Sequence, residues 1–167
     1  MNKIIRVFFE ELWSLYQLLF IFIPGRVGHR IRGCFLGFFF KSKGKSISIK
    51  ENVEIYKPSR FAIGNFSGVG RNNIIDCTGN VIIGENTRLG PNVVIATMNH
   101  ASRGQVIGEA EKKLASVQIG DNCWVGAGVT ILPGVKVGNN CILAAGAVVT
   151  SNIKDNSCVA GVPAREI

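Results

Sequence analysis

Six hexads follow one another without interruption from Ile119: IGDNCW, VGAGVT, ILPGVK, VGNNCI, LAAGAV and VTSNIK. Every first position is aliphatic (Ile119, Val125, Ile131, Val137, Leu143, Val149), and every fifth is apolar and mostly small or medium (Cys123, Val129, Val135, Cys141, Ala147, Ile153). A period of six matches neither the 3.6 residues of a helical turn nor the two of a strand, so no amphipathic helix or hairpin accounts for it. A short strand that turns a corner every six residues does. Three hexads then close one triangular coil, with the first residue pointing inward and the fifth fitting near the bend. Less regular copies begin at Ile83, Leu89 and Ile95, weaker ones lie near Ile63 and Val69, and the phase slips by two residues between Ile75 and Ile83. A stack of such coils has open ends that must be covered; an N-terminal helix and residues 155–167 are the available caps.

The rest of the chain narrows the function classes. At 167 residues there is room for one domain and a small appended element, which excludes a two-domain enzyme. With 47% hydrophobic and 18% charged residues the chain is not disordered. Five cysteines without a CxxC pair fit neither a zinc ribbon nor a disulfide scaffold, and read as small buried thiols in a reducing compartment. Of the net charge of +8, residues 1–60 carry +7, so the basic character belongs to the N-terminal third. That third is also the most apolar. Basic residues beside aromatic and aliphatic bulk fit an anionic membrane surface better than a nucleic-acid groove, and no nucleic-acid motif is present.

Between residues 3 and 23 the polar positions Lys3, Arg6, Glu10, Ser14 and Gln17 recur at steps of three or four, drawing one narrow polar stripe on a helix that Pro24-Gly25 stops. Two glutamates interrupt the segment, which argues against a signal peptide. The charge-free run from Leu12 to Ile23 falls short of the ~20 residues of a membrane span. The helix either lies in a membrane interface, anchored by Trp13, Tyr16 and the arginines Arg26, Arg30 and Arg32, or packs its wide apolar face on the protein or a neighbouring subunit.

Of the two histidines only His100 sits in the repeat. It closes IATMNH, after which the frame breaks for residues 101–116 until VQIGDNCW resumes it. Imidazole titrates near operating pH and is suited to taking a proton from an alcohol that attacks a thioester. No carboxylate adjoins it in sequence, so a backbone carbonyl or a distant residue must orient it.

With these hexads the chain resembles the bacterial hexapeptide-repeat acyltransferases, whose fold is mainly β, a left-handed parallel β-helix. The resemblance covers about residues 47–165. It implies an N-terminal helical segment over 1–46 and an acyltransferase domain over 47–167 with an excursion loop at 101–116. GPNVVIATMNH looks like the stretch that ends in the catalytic histidine of the galactoside and maltose acetyltransferases, and DNCWVGAGVTILPGVKVGNN like their acetyl-CoA segment. The resemblance implies His100 as general base, Trp124 as the wall where pantetheine meets acceptor, and the Ala127 N–H facing the thioester oxygen. Small residues at Ala145 and Gly146 would let the cofactor arm lie along the coils, with Thr150 and Arg165 at its nucleotide end. Asn72 and Asp76 stand where relatives keep acceptor contacts, though both also suit turns at coil corners. Serine acetyltransferases carry a long helical domain and a second active-site histidine, both absent here, and the γ-class carbonic anhydrases need three zinc-binding histidines where this chain has two.

The expected function is therefore O-acetylation of a sugar hydroxyl by acetyl-CoA, without a metal, in a homotrimer whose sites lie between subunits. The N-terminal segment resembles the opening of several O-antigen and exopolysaccharide acetyltransferases, implying a cell-surface polysaccharide or its lipid-linked precursor as acceptor and a peripheral place on the cytoplasmic face of the membrane. A soluble sugar or antibiotic acetyltransferase and a non-catalytic β-helix scaffold are the alternatives.

Overall fold

The computed structural model describes residues 3–21, 23–100 and 111–167. The repeat folds as a left-handed parallel β-helix of three faces. The first face pairs Ser42–Lys43, Phe61–Ile63, Val81–Ile83, Val117–Ile119 and Lys136–Val137. The second pairs Ser48–Ile49, Gly68–Val69, Arg88–Leu89, Trp124–Val125, Ile142–Leu143 and Cys158–Ala160, and is closed by the antiparallel strand Arg165–Glu166. The third pairs Glu54–Tyr56, Ile74–Asp76, Val94–Ile95, Thr130–Ile131 and Val148–Val149.

All six first-position residues are buried, and each stands in register on its counterpart in the next coil: Val125 between Leu89 and Leu143, Ile131 between Ile95 and Val149. The fifth positions are buried as well, except Ile153, which is half-buried where the last coil shortens. A side chain at Gly120, a second-position residue, would stand 2.6 Å from the Gly138 carbonyl oxygen, so successive coils approach too closely there for a Cβ.

The phase slip has a structural cause. Register partners Ile49 and Val69 are twenty residues apart, while Val125 and Leu143 are eighteen apart. The early coils spend the excess at the corner from the third face to the first, once in a 3₁₀ turn at Pro58–Arg60 and once at residues 76–80, where Cys77 is buried and burial pushes its thiol pKa up. Cys123 and Cys141 are also buried, Cys158 is half-buried, and Cys34 departs from the expectation by lying exposed.

Corners stack as columns. Asn122, Asn140 and Asn156 share left-handed φ values of 54°, 58° and 63°, and each amide donates to the next at 2.9 and 3.0 Å. Asparagine is among the few side chains that accept this conformation without a large penalty.

The N-terminal cap is made of two helices, α1 (Lys3–Ile21) and α2 (Gly25–Phe35). The first coil has no coil below it, so its outer backbone groups need other partners. Trp13 Nε1 donates to the Ile55 carbonyl at 2.6 Å, and Gln17 Oε1 accepts from the Ile55 N–H at 3.0 Å. Trp13, Tyr16, Gln17 and Phe20 recur at helical spacing and form the inner side of α1. Phe8, Leu12, Leu15 and Leu19 form the outer side, and Leu19 is 71% exposed. The two alternatives for this helix thus divide between its faces: Trp13 and Tyr16, read as membrane anchors, pack inward, while a second apolar face stays exposed.

Arg32 also departs from the membrane-flank reading. Residues 25–35 form a second helix, on which Arg26 and Arg30 share a side and Arg32 falls on the opposite one. At 2% exposure its Nε donates to Ile49 O, and its Nη1 to Phe20 O and Ile23 O, all within 2.9 Å. Arg32 Nη2 stands 3.6 Å from Glu51, which also takes His29 Nε2 at 3.1 Å, the Gly25 N–H at 3.3 Å and Arg71 Nε at 2.7 Å. This cluster ties both helices to the first coil. At the opposite end Ser157 Oγ donates to Glu166 at 3.1 Å and Ala164 is buried, closing the last coil.

The Arg71 hydrogen bond, which outweighs burial, holds the Glu51 carboxyl at a pKa of about 2. A carboxylate held below its unfolded pKa contributes stability that is present above that unfolded value and lost as pH falls through the folded one. Glu51→Gln is accordingly expected to destabilise the protein most above pH 4.5, with the gap to wild type narrowing towards pH 2, as measured by urea unfolding across that range.

Candidate functional site

His100 stands at the outer end of an arm. The third-face strand Val94–Ile95 continues through Ala96 and Thr97 into Met98–His100, which leaves the coil and pairs antiparallel with Lys112–Leu114, setting His100 opposite Lys112. The chain thus leaves the coil at Met98, before the frame break expected at residue 101, and returns as the strand Lys112–Leu114; residues 101–110 lie outside the described residues. His100 is exposed.

The arm is rooted at Thr97, which is fully buried. Its Oγ1 accepts from the Gly79 N–H at 2.7 Å and lies 2.8 Å from the Asp76 carbonyl and 3.2 Å from the Asp76 carboxylate. The same carboxylate accepts from the N–H of Thr78 at 2.8 Å and of Thr97 at 3.3 Å. Burial alone would raise the Asp76 carboxyl, but these hydrogen bonds from Thr78 and Thr97 outweigh it and hold the pKa below the usual value. Asp76 thus sits on the preceding coil beneath Thr97, itself three residues before His100, as a charged clamp on the root of the arm. Sequence reasoning named Asp76 but missed Thr97, whose only signal is a hydroxyl residue at a position where the preceding hexads turn their corner.

Asn72 lies at the corner between the second and third faces, with φ 57° and its amide donating to Asn92 at 3.1 Å. Gly146 belongs to the same corner column, reached through Asn92 and Gly128, each of whose backbone N–H donates to the coil before it. Ala127 and Ala145 adjoin this column and are exposed, and the Ala127 carbonyl accepts from Gly146 at 2.8 Å. Four of the residues named from the sequence, Asn72, Ala127, Ala145 and Gly146, therefore share one edge of the prism. Thr150 is exposed just past the third-face strand Val148–Val149, and Arg165 is exposed in the closing strand, its guanidinium donating to Ala164 O.

Trp124 does not join His100 within the chain. It projects from the second face, half exposed, between Arg88 and Ile142 of the neighbouring strands, while His100 departs from the third. Among the described residues, two grooves towards the N-terminal end are lined by neither His100 nor Trp124. Among the described residues no group of three or more His, Cys, Asp or Glu side chains is placed to hold a metal ion.

Thr97→Val keeps the shape of this root but leaves the Gly79 N–H without its acceptor, so a loss of about 1–3 kcal/mol is expected, measured by denaturant unfolding, with Thr97→Ser recovering most of it.

Comparison with known proteins agrees with this architecture. The family model for bacterial transferase hexapeptide (six repeats) matches residues 116–151. Galactoside O-acetyltransferase of Escherichia coli K12 is 34% identical over 127 residues, which cover 72% of this chain and 62% of the relative, so the matched region spans under two thirds of that protein's length. A maltose O-acetyltransferase structure from Clostridium difficile 630 superposes with a TM-score of 0.88 at 30% identity, covering 99% of this chain and 88% of its own. A galactoside acetyltransferase in complex with coenzyme A superposes at 0.79 with 26% identity, covering 95% and 78%. The uninterrupted hexads, the three-faced coil and these matches together make the chain a member of the bacterial hexapeptide-repeat acetyltransferase family.

Proposed function

We propose that the protein transfers the acetyl group of acetyl-CoA to a hydroxyl of a sugar, with His100 as general base. The observation that carries this reading is the placement of His100: an exposed imidazole on a paired arm, leaving the coil at the interruption of the repeat and rooted by the Thr97–Asp76 clamp. The imidazole takes the proton of the acceptor hydroxyl as its oxygen attacks the thioester carbonyl. The tetrahedral oxyanion collapses, the carbon–sulfur bond breaks, and the coenzyme A thiolate takes the proton back from the imidazolium. A backbone donor such as the Ala127 N–H suits the oxyanion. The exposed Ala145, Gly146, Thr150 and Arg165 give the donor a path along the coils. Asn72, on the edge it shares with Ala127, Ala145 and Gly146, and Asp76, beneath the histidine arm, are assigned to the acceptor in addition to their corner and clamp roles.

His100 and Trp124 occupy different faces, so a site that uses both requires a second chain. In a homotrimer the His100 arm of one subunit meets the Trp124 face of the next. His100→Ala is expected to lower kcat by about 10² to 10⁴ while coenzyme A binding stays within twofold, as read by thiol release and calorimetry. Trp124→Ala is expected to lose activity in the same assay. Random co-assembly of the two inactive variants restores about a quarter of the sites if each site takes one residue from each neighbour, and none if both come from one chain. Inactivity of the mixture under conditions where wild-type subunits exchange would reject the shared site.

The acceptor class follows from α1. Among the described residues no helix is long and apolar enough to cross a membrane. The outer face with Phe8, Leu12, Leu15 and Leu19 is exposed, and Arg26 and Arg30 are exposed on the next helix. This pairing supports peripheral attachment to an anionic leaflet and a polysaccharide precursor as acceptor. Full-length protein is expected to sediment with vesicles containing phosphatidylglycerol, and Leu15→Glu with Leu19→Glu to keep it in the supernatant. Wild-type protein remaining in the supernatant at low salt would overturn membrane attachment.

A further inference from the structure

On the outer surface of the second face, strand register sets Ser48, Gly68, Arg88, Trp124 and Ile142 in one ladder. Gly68 is the bare rung. A Cβ there would stand 2.6 Å from Ser48 Oγ and 3.2 Å from Arg88 Nη1, so the Arg88 guanidinium lies over the glycine backbone, alongside Ser48. It reaches a groove of about 340 Å³ whose cations are Arg26 and Arg30 from α2, Lys50 from the first coil and Arg88 itself, with His29 and Ser48 among them.

Among the described residues no carboxylate lines this groove. Among the described residues the ion pairs of this region converge on Glu51, which is taken up by His29, Arg32 and Arg71; none of the four groove cations is paired with a carboxylate. Four unpaired cations facing one concavity repel one another, and a polyanion relieves that repulsion. Three of them are arginines, whose planar forks match phosphate oxygens with two parallel hydrogen bonds each.

We propose that this groove binds the phosphoryl or diphosphoryl group of the acceptor, making the acceptor a phosphate-linked saccharide rather than a free neutral sugar. The identity of the ligand as acceptor rests on the acetyl-transfer reading above. Neighbouring strands lie about 4.8 Å apart, so Ser48 is about 14 Å from Trp124 along the ladder, with Arg88 one rung from the tryptophan. A sugar ring held against Trp124 thus has its phosphoryl group over Arg88 and any further phosphoryl group among Lys50, Arg26 and Arg30. The residues assigned to the donor, Ala145, Gly146, Thr150 and Arg165, lie on later coils, so the groove is separate from the coenzyme A path.

The test begins with inorganic pyrophosphate titrated into the full chain by calorimetry at low salt. Wild type is expected to bind it, saturating coenzyme A to leave that affinity unchanged, and Arg88→Gln with Lys50→Gln to weaken it at least tenfold while coenzyme A binding stays within twofold. No pyrophosphate binding, or its displacement by coenzyme A, overturns the proposal. Thiol release is then compared for glucose, UDP-glucose, and glucose linked through diphosphate to a polyprenyl chain in phosphatidylcholine vesicles. A kcat/KM at least tenfold above glucose for either phosphorylated acceptor, lost in the double variant, supports the proposal, and the faster of the two identifies a soluble or a lipid-borne source. Equal rates on all three overturn the acceptor assignment. Wild-type inactivity on every acceptor would count against acetyl transfer itself, and with it against the groove's ligand being an acceptor, while the pyrophosphate titration separately decides whether the groove is an anion site.

Discussion

Each side of each coil turns one aliphatic residue inward, and the register of that column is what the remaining structure depends on. Ile49, Val69, Leu89, Val125, Leu143 and Val159 run up the second face in this way, every one of them buried. Burying such a side chain is worth roughly 1.5–3 kcal/mol, but only against a neighbour at the same height, so stability accrues between adjacent coils and fails at the two ends. The capping devices follow from this. At the N-terminus the Ile55 amide and carbonyl meet Gln17 and Trp13, and the Ile49 carbonyl meets Arg32, because no lower coil is there to take them. At the C-terminus the chain folds back as Arg165–Glu166 on its own last strand.

A rigid stack also decides where chemistry can sit. Inward positions are fixed by packing and corner positions by left-handed backbone, which leaves the outward rungs and the interruptions of the repeat for function. His100 belongs to an interruption, Trp124 and Arg88 to outward rungs, and the Thr97–Asp76 clamp to the point where the third face releases the arm. His100 and Trp124 stand on separate faces of the prism, which is why the proposed reaction is assigned to a boundary between two subunits.

Much of this was legible from residue spacing alone. The first-position column from Ile119 to Val149 and the open-ended stack needing caps follow directly from a six-residue period. The phase slip at Ile75–Ile83 was visible, but its twin between Ile55 and Ile63 was not, because the 3₁₀ turn at Pro58–Arg60 has no hexad on either side regular enough to reveal a break. The N-terminal segment was the least legible. Spacing identified the helix, yet could not say which apolar side faces the coil, since both sides carry bulky apolar residues and only the unpaired edge of the first coil gives the Trp13 N–H its partner. Arg32 was invisible as a buried residue because its environment is carbonyl oxygens contributed by the end of α1 and by Ile49 of the first coil. Corner turns at Asn72 and Asp76 were among the alternatives the residue types allowed, whereas the grip of Asp76 on Thr97 joins residues 21 apart and was not.

In the proposed trimer the reacting centre lies between the His100 arm of one subunit and the Trp124 face of its neighbour. A crystal structure of the full chain grown with coenzyme A decides this. The sulfur of the pantetheine arm is expected beside Trp124 of one subunit, facing the His100 imidazole of the next across a gap that one acceptor hydroxyl would fill. Coenzyme A bound wholly within one chain, with its sulfur remote from every His100, would contradict it.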